Sequence, residues 1–219
     1  GTYGDKDLYV SFNIDGQLWS VPLNLGPVVN TKRGEISPFL AADNTTLYFS
    51  SDGHPGYGSN DIFLTRRLDD TWTNWSKPEN LGKPINTDDW DAYYSVPASG
   101  EYAYFVSTKS GYGGSDIFRI RLPEMARPNP VVLVKGKVLN KKTNTPLQAI
   151  INYFDLQNSE ISGTAMSNPE NGFYQITLPA GRLYGFLASS DKYLSVSENI
   201  DLKELGEYRE LERDLYLVP

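Results

Sequence analysis

The chain's one histidine, His54, stands in Asp52-Gly53-His54-Pro55-Gly56, close to Ser50 and Ser51. A hydrolytic triad needs a serine, an imidazole and a carboxylate converging from separate positions, each aimed at the next. Neighbours on one strand and its turn do not face each other in this way. His54 therefore reads as a loop residue, and no catalytic residue is expected. Three aspartates, Asp7, Asp61 and Asp116, recur with glycines beside them. Carboxylates of this kind suit a hard cation such as calcium, which takes several oxygen ligands. The same side chain also accepts backbone N–H hydrogen bonds and holds its own loop in shape. An equivalent place in every repeat favours the second use, so Asp61 and Asp116 are weak metal candidates and no metal is expected. Asp69-Asp70 and the trio Asp88, Asp89 and Asp91 read as solvated turns.

Aromatic residues are the remaining candidates. Trp72, Trp75 and Trp90, with Tyr57, Tyr93, Tyr94 and Tyr112, are suited to stack against a sugar or a partner peptide. Packing between structural repeats is the competing use of the same side chains. No cofactor is implied by any of these groups.

The elements that must hold them are repeats. Gly56-Tyr57-Gly58-Ser59-Asn60-Asp61-Ile62-Phe63 returns as Gly111-Tyr112-Gly113-Gly114-Ser115-Asp116-Ile117-Phe118, and a third copy begins at Tyr3-Gly4-Asp5-Lys6-Asp7. Asn24-Leu25-Gly26 through Asn30-Thr31 matches Asn80-Leu81-Gly82 through Asn86-Thr87, and Leu47-Tyr48-Phe49 matches Ala103-Tyr104-Phe105. All share a period of about 55 residues, which is the length of a repeated supersecondary unit. Within one unit, Ser37–Leu40, Thr46–Ser50, Asp61–Arg66 and the stretch Trp72–Trp75 read as strands joined by Gly- and Asn-rich turns. About four strands per unit is the arithmetic of a β-propeller blade. Residues 1–31 hold the later part of one unit, 32–87 a whole one and 88–123 the early part of a third. A ring needs at least about four blades. The expectation is thus a partial β-propeller with about two blades visible, either preceded by more blades or covered by another copy.

Pro123 to Pro130 is proline-rich and reads as a stiff linker, placed at 124–130. Beyond it the period stops. Residues 131–219 carry strand patterns at Val131–Val138, Ala149–Phe154, Phe173–Leu178 and Leu183–Ala188, with a loop and a last strand at the end. They predict a β-sandwich. The whole chain is therefore expected to be all-β: a partial propeller over 1–123, the linker, and a sandwich over 131–219.

Composition narrows the partners. The 219 residues carry a net charge of −7 and no basic stripe, which disfavours nucleic acid. No apolar run approaches the ~20 residues of a membrane-spanning helix. Cysteine is absent, so disulfides and thiolate chemistry are excluded. The opening on Gly1, inside a repeat, suggests a processed or partial chain.

Two resemblances follow from these residues. Glu35 to Asp43, Leu47 to Gly53 and Gly58 to Phe63 resemble a TolB-type propeller repeat. Val134 to Val138, Thr145-Pro146-Leu147, Asn171 to Tyr174 and Leu178 to Gly181 resemble a carboxypeptidase-regulatory-like domain, a transthyretin-like sandwich without peptidase chemistry. The pair in this order is similar to the middle of OmpA-family multidomain envelope proteins, including PorE-like components of the type IX secretion system. That resemblance implies a non-catalytic scaffold on the periplasmic side of the outer membrane, with envelope or secretion-system proteins as partners. Peptidoglycan would be bound only by a domain absent from this chain. The alternative expectation is a glycan- or peptide-binding module using the propeller aromatics.

Overall fold

A computed structural model describes residues 2–14, 16–109, 111–157 and 160–219 and divides the chain into two compact units, Gly1–Pro128 and Asn129–Pro219. The chain is all-β. Among the described residues the one helical piece is a 3-10 turn at Glu124–Ala126, and no helix is long and apolar enough to cross a membrane.

In the first unit, the first repeat supplies β1 (Tyr9–Val10) and β2 (Leu23–Asn24), paired antiparallel. The second repeat is a four-stranded meander of β3 (Glu35–Leu40), β4 (Thr46–Ser51), β5 (Asp61–Arg66) and β6 (Glu79–Asn80). The third repeat is a three-stranded meander of β7 (Asp91–Ser95), β8 (Tyr102–Ser107) and β9 (Asp116–Arg121). The same bulge interrupts β3 and β7: register shifts between Ile36 and Phe39 and between Ala92 and Ser95, with Ser37 and Tyr93 both at positive φ.

Strands β4 and β5 are buried on both faces, which explains the consecutive apolar residues at their centres, Leu47-Tyr48-Phe49 and Ile62-Phe63-Leu64. On one face Leu47, Phe49 and Phe63 join Leu8, Leu25, Val29 and Trp75. On the other, Tyr48, Ile62 and Leu64 join Ile85, Tyr94, Ala103 and Phe105. The middle sheet is thus packed between the first and third repeats. Sheets of two, four and three strands do not close a ring. The expected propeller is not found: among the described residues the repeats give stacked meanders, and the third ends at β9 with no fourth strand.

Two local expectations differ from what is seen. Trp72–Trp75 is not a strand: Trp72 sits at φ +62° in a turn, and Trp75 meets Arg67 in a single bridge. Asp69 accounts for this, accepting the N–H and hydroxyl of Thr71 at 2.9 and 2.6 Å and the Asn74 amide at 2.7 Å. These bonds hold its carboxyl below the usual aspartate range. The fourth strand of the meander is instead β6. Part of the proline-rich stretch is also tied down. Ala126 is buried, and the Tyr48 hydroxyl donates to its carbonyl at 2.5 Å.

The second unit contains β10 (Val131–Asn140), β11 (Ile150–Asp155), β12 (Glu160–Met166), β13 (Phe173–Pro179), β14 (Leu183–Ser189), β15 (Val196–Asp201), β16 (Arg209–Glu212) and β17 (Leu215–Leu217). One sheet centres on β10, antiparallel to β13 and parallel to both β16 and β17; the other runs β12-β11-β14-β15. Alternating residues Val132, Val134, Tyr174 and Ile176 from the first meet Ile151, Tyr184, Phe186 and Ile200 from the second in one core. The end of the chain forms two short strands rather than one. The crossing between them lies over Gly136, where a Cβ would overlap the Arg213 carbonyl.

Candidate functional site

The Gly-rich loops are organised by their aspartates. Asp7 accepts the N–H groups of Tyr3 at 2.7 Å and Gly4 at 3.1 Å. Asp61 accepts those of Tyr57 at 2.5 Å and Gly58 at 3.3 Å, and Asp116 that of Tyr112 at 2.8 Å. Each carboxylate closes its own turn four residues back. Gly56 and Gly111 lie against the carboxylates of Asp61 and Asp116, where a Cβ would collide with the oxygen. Among the described residues no group of three or more His, Cys, Asp or Glu is arranged to hold a metal.

A second polar network went unassigned in the sequence, although its residues repeat at the same offset. Asn86 accepts the Ile62 N–H at 2.8 Å and donates to the Ile62 carbonyl at 2.8 Å and to Asn80 Oδ1 at 2.8 Å. Asn30 does the same for Leu8 at 2.8 and 3.0 Å, and donates to Asn24 Oδ1 at 2.9 Å. Asn24 and Asn80 in turn accept the N–H groups of Gly26 and Gly82, both at 2.8 Å. One side chain thus satisfies two buried backbone groups at the start of a strand, as buried polar groups require. The signal was present in the Asn-Leu-Gly-x-x-x-Asn spacing. What it lacked was knowledge that its last Asn folds back on a strand 22 or 24 residues earlier.

The aromatic candidates do not form one platform. Trp75 is buried, donates its indole N–H to the Trp72 carbonyl at 2.9 Å and meets the Trp72 ring edge-on at 6.0 Å. Trp72 also lies under the Arg67 guanidinium at 4.6 Å and against Phe12 at 5.7 Å. Trp90 pairs edge-on with the exposed Tyr93 at 5.7 Å, while Tyr94 is buried against Tyr48 at 4.9 Å. Tyr57 is exposed beneath Lys83 Nζ at 5.9 Å, and Tyr112 is fully exposed. His54 packs between Phe49 and Phe63 and donates from Nε2 to the Val29 carbonyl at 2.8 Å. Its ring is thereby committed to the seam between the first two repeats.

The third repeat differs from the second in what covers it. Tyr48 and Ile62 are both 0% exposed beneath the third repeat, whereas Tyr104 and Ile117, at the matching positions, are 39% and 78% exposed. Gly4 and Gly58 press against the backbone carbonyls of the following repeat, at Thr31 and Arg33 and at Thr87 and Asp89 respectively. Gly113 meets nothing within 4 Å. Beside β9 lies a pocket of about 340 Å³ lined by Pro84, Asn86, Phe105, Ser107, Lys109 and Phe118, among others. Its counterpart one repeat earlier, about 500 Å³, is walled by His54, Phe63 and Trp75.

No family model matches the chain, and no curated protein matches it. Solved structures give distant likenesses only. The 3-chlorocatechol 1,2-dioxygenase of Rhodococcus opacus is 11% identical, with a TM-score of 0.32, over 42% of this chain and 60% of that one. The backbone protein of group B streptococcus pilus 2b is 10% identical, with a TM-score of 0.31, over 84% and 98%. The major pilin subunit of Bacillus cereus is 10% identical, with a TM-score of 0.33, over 95% and 78%. This chain spans less than two thirds of the dioxygenase. At these TM-scores the likenesses carry no argument about activity.

One expectation is corrected by the absence of any family match and by the sheets themselves. The resemblance to OmpA-family, PorE-like envelope proteins is not upheld, nor are the TolB-type repeat and carboxypeptidase-regulatory-like assignments that composed it. No family model and no curated protein returns that family, and among the described residues the sheets form no ring. Short motifs such as Asn-Gly turns and Gly-Ser-Asn-Asp loops recur wherever meanders need the same turn chemistry, so their order alone over-specified a family. The envelope location and the peptidoglycan connection lose that support with it.

Proposed function

We propose that this chain is a non-catalytic protein-interaction module whose first unit is an open, propeller-like stack of repeats. In this reading the outer face of the third repeat receives a partner. The carrying observation is the contrast between Tyr48 and Ile62, both 0% exposed, and their counterparts Tyr104 and Ile117, at 39% and 78%. A face that is core in one repeat and bare in the next is an apolar patch of the kind that marks interaction sites. Its polar residues support the non-catalytic reading, since Asp61, Asp116, Asn86 and His54 are each engaged in holding backbone. A photo-crosslinking residue placed at Ile117 in the native source should give a discrete adduct, with none from the same residue at Tyr216 in the second unit. Absence of an adduct at position 117 would overturn the reading.

A second reading, binding of a glycan, is favoured by one observation: the half-buried Trp90 stands edge-on to the exposed Tyr93. Titration with cell-wall glycans, followed by tryptophan fluorescence in the wild type and in Trp90→Phe, tests it. No response in either protein would leave the protein-partner reading alone.

A further inference from the structure

The first two repeats end in the same twelve-residue pattern, Trp-Ser-x-Pro-x-Asn-Leu-Gly-x-x-x-Asn, at residues 19–30 and 75–86. In the second repeat this segment completes the sheet along the outer edge of β5. Glu79 and Asn80 pair with Leu64 and Phe63. Ser76 bonds Arg66 in both directions, donating its N–H to the Arg66 carbonyl at 2.8 Å and accepting the Arg66 N–H on Oγ at 2.9 Å. Leu81 donates to the Ile62 carbonyl at 3.1 Å, and Asn86 caps the Ile62 peptide groups. Trp75 fills the adjoining seam with Phe49 and Phe63. The edge of β5 is therefore satisfied through Ile62, Leu64 and Arg66.

After β9 no such segment follows; the chain runs Leu122-Pro123 into the 3-10 turn. Among the described residues, no strand pairs with the outer edge of β9, whose matching positions are Ile117, Arg119 and Arg121. Three further features belong to the same absence. The pocket walled by Phe105 and Phe118 lacks the indole wall that Trp75 gives its counterpart beside β5. Among the described residues, no side chain caps the Ile117 peptide groups as Asn86 caps those of Ile62. And the edge residue opposite the strand's acidic position has changed from Leu64 to Arg119, with Arg121 two residues on, both exposed. Directly opposed residues of an antiparallel pair lie close enough for opposite charges to attract.

We infer that β9 is an acceptor edge for an added strand from a separate polypeptide, with acidic residues opposite Arg119 and Arg121. The incoming segment carries an aromatic residue for the Phe105–Phe118 pocket and ends in Asn-Leu-Gly-x-x-x-Asn to cap Ile117. Main-chain pairing supplies affinity in such strand addition, while the pocket and the charges supply selectivity. This names a site and a partner class for the interaction module proposed above, and it rests on that reading. It differs in using the edge of the third sheet rather than its face.

The test uses the full chain and a fluorescein-labelled peptide, Trp-Ser-Glu-Pro-Glu-Asn-Leu-Gly-Lys-Pro-Ile-Asn, followed by anisotropy. Saturable one-to-one binding is expected. It should weaken at least about tenfold when the peptide's last Asn becomes Ala, and again when the protein carries Arg119→Glu, an exposed change that leaves the core intact. A peptide with Lys in place of the second Glu, the residue opposite position 119, should recover binding to Arg119→Glu. No saturable binding at millimolar peptide, or binding indifferent to Arg119→Glu, overturns the inference. So does a concentration-dependent dimer that the peptide disperses, since a second copy would then be the occupant. If the peptide fails while the Ile117 crosslink forms, only the edge is refuted. If the peptide binds and no crosslink forms, the face reading fails by itself.

Discussion

At the scale of single residues, the first unit spends its buried polar groups on backbone. Asn30 and Asn86 each satisfy an N–H and a carbonyl that would otherwise be stranded, and each bonds a second asparagine that shapes the following glycine turn. Glu35 works similarly, accepting the Thr31 N–H and hydroxyl at 2.8 and 2.7 Å and the Ser51 hydroxyl at 2.8 Å. One methylene shorter, Asp91 keeps only the Thr87 pair, at 2.7 and 2.9 Å, and its Oδ1 is buried without a protein partner. Tyr94 is an exception of another kind: its hydroxyl is buried with no partner, against Tyr48. Burial pushes both phenols above the ordinary tyrosine value, with mutual repulsion adding to it at Tyr48. The folded state then holds protons that the unfolded chain releases, so this contribution is full below about pH 10 and is lost as pH rises further. Tyr94→Phe removes an unsatisfied group without a cavity. At pH 7 urea denaturation should show stability unchanged or raised by up to about 1 kcal/mol. Above pH 10 the variant should lose stability less steeply than the wild type.

At the scale of elements, each repeat is locked to the next by a close backbone approach. Gly4 and Gly58 sit where only hydrogen fits, and Lys6 and Asn60 form parallel bridges to Gly34 and Trp90 beside them. Gly113 has the same motif context but open space in front of it. Gly58→Ala should therefore destabilise the first unit by about 2–3 kcal/mol, in the range of steric overpacking. Gly113→Ala should be within about 0.5 kcal/mol of wild type, as for an uncrowded surface position. Equal losses in the two variants, measured by urea midpoints, would mean that Gly113 is covered in solution by something absent from this chain. That result would itself favour a bound partner.

At the scale of the whole molecule, two cores are built on different logic. The first unit stacks thin sheets whose middle member is apolar on both faces. The second packs two sheets over one shared core, with β10 as the spine of one of them. All four tryptophans, Trp19, Trp72, Trp75 and Trp90, belong to the first unit. Phe186→Ala deletes a fully buried ring in the second unit's core and should cost that unit about 3–5 kcal/mol. Far-ultraviolet circular dichroism should register an earlier transition, while the tryptophan fluorescence midpoint stays in place. A fluorescence midpoint that moves with it would show the units unfolding as one.

What the amino-acid order determined by itself was local and periodic. Alternation and aromatic runs marked β4, β5, β8, β9, β10, β11, β13 and β14, because a strand's side-chain period is written in its own residues. The 55-residue repeat likewise announced the stacked meanders. Strands β12 and β15 escaped notice, since their polar-rich sequences take strand form only by pairing with β11 and β14. The role of His54 as a seam residue, of Asn86 as a cap, and of Trp75 as buried filling needed partners more than ten residues away, which no local pattern encodes. The aspartates and aromatics were legible as candidates, yet only tertiary packing decided that Asp61 closes a loop and that Trp72, Trp90, Tyr57 and Tyr112 do not converge. The uncovered edge of β9 is a property of the same kind: its residues read as an ordinary strand, and comparison with β5 in space reveals the missing neighbour. The repeat count already gave too few units for a ring; what covers the last sheet is a fact of assembly rather than of sequence period.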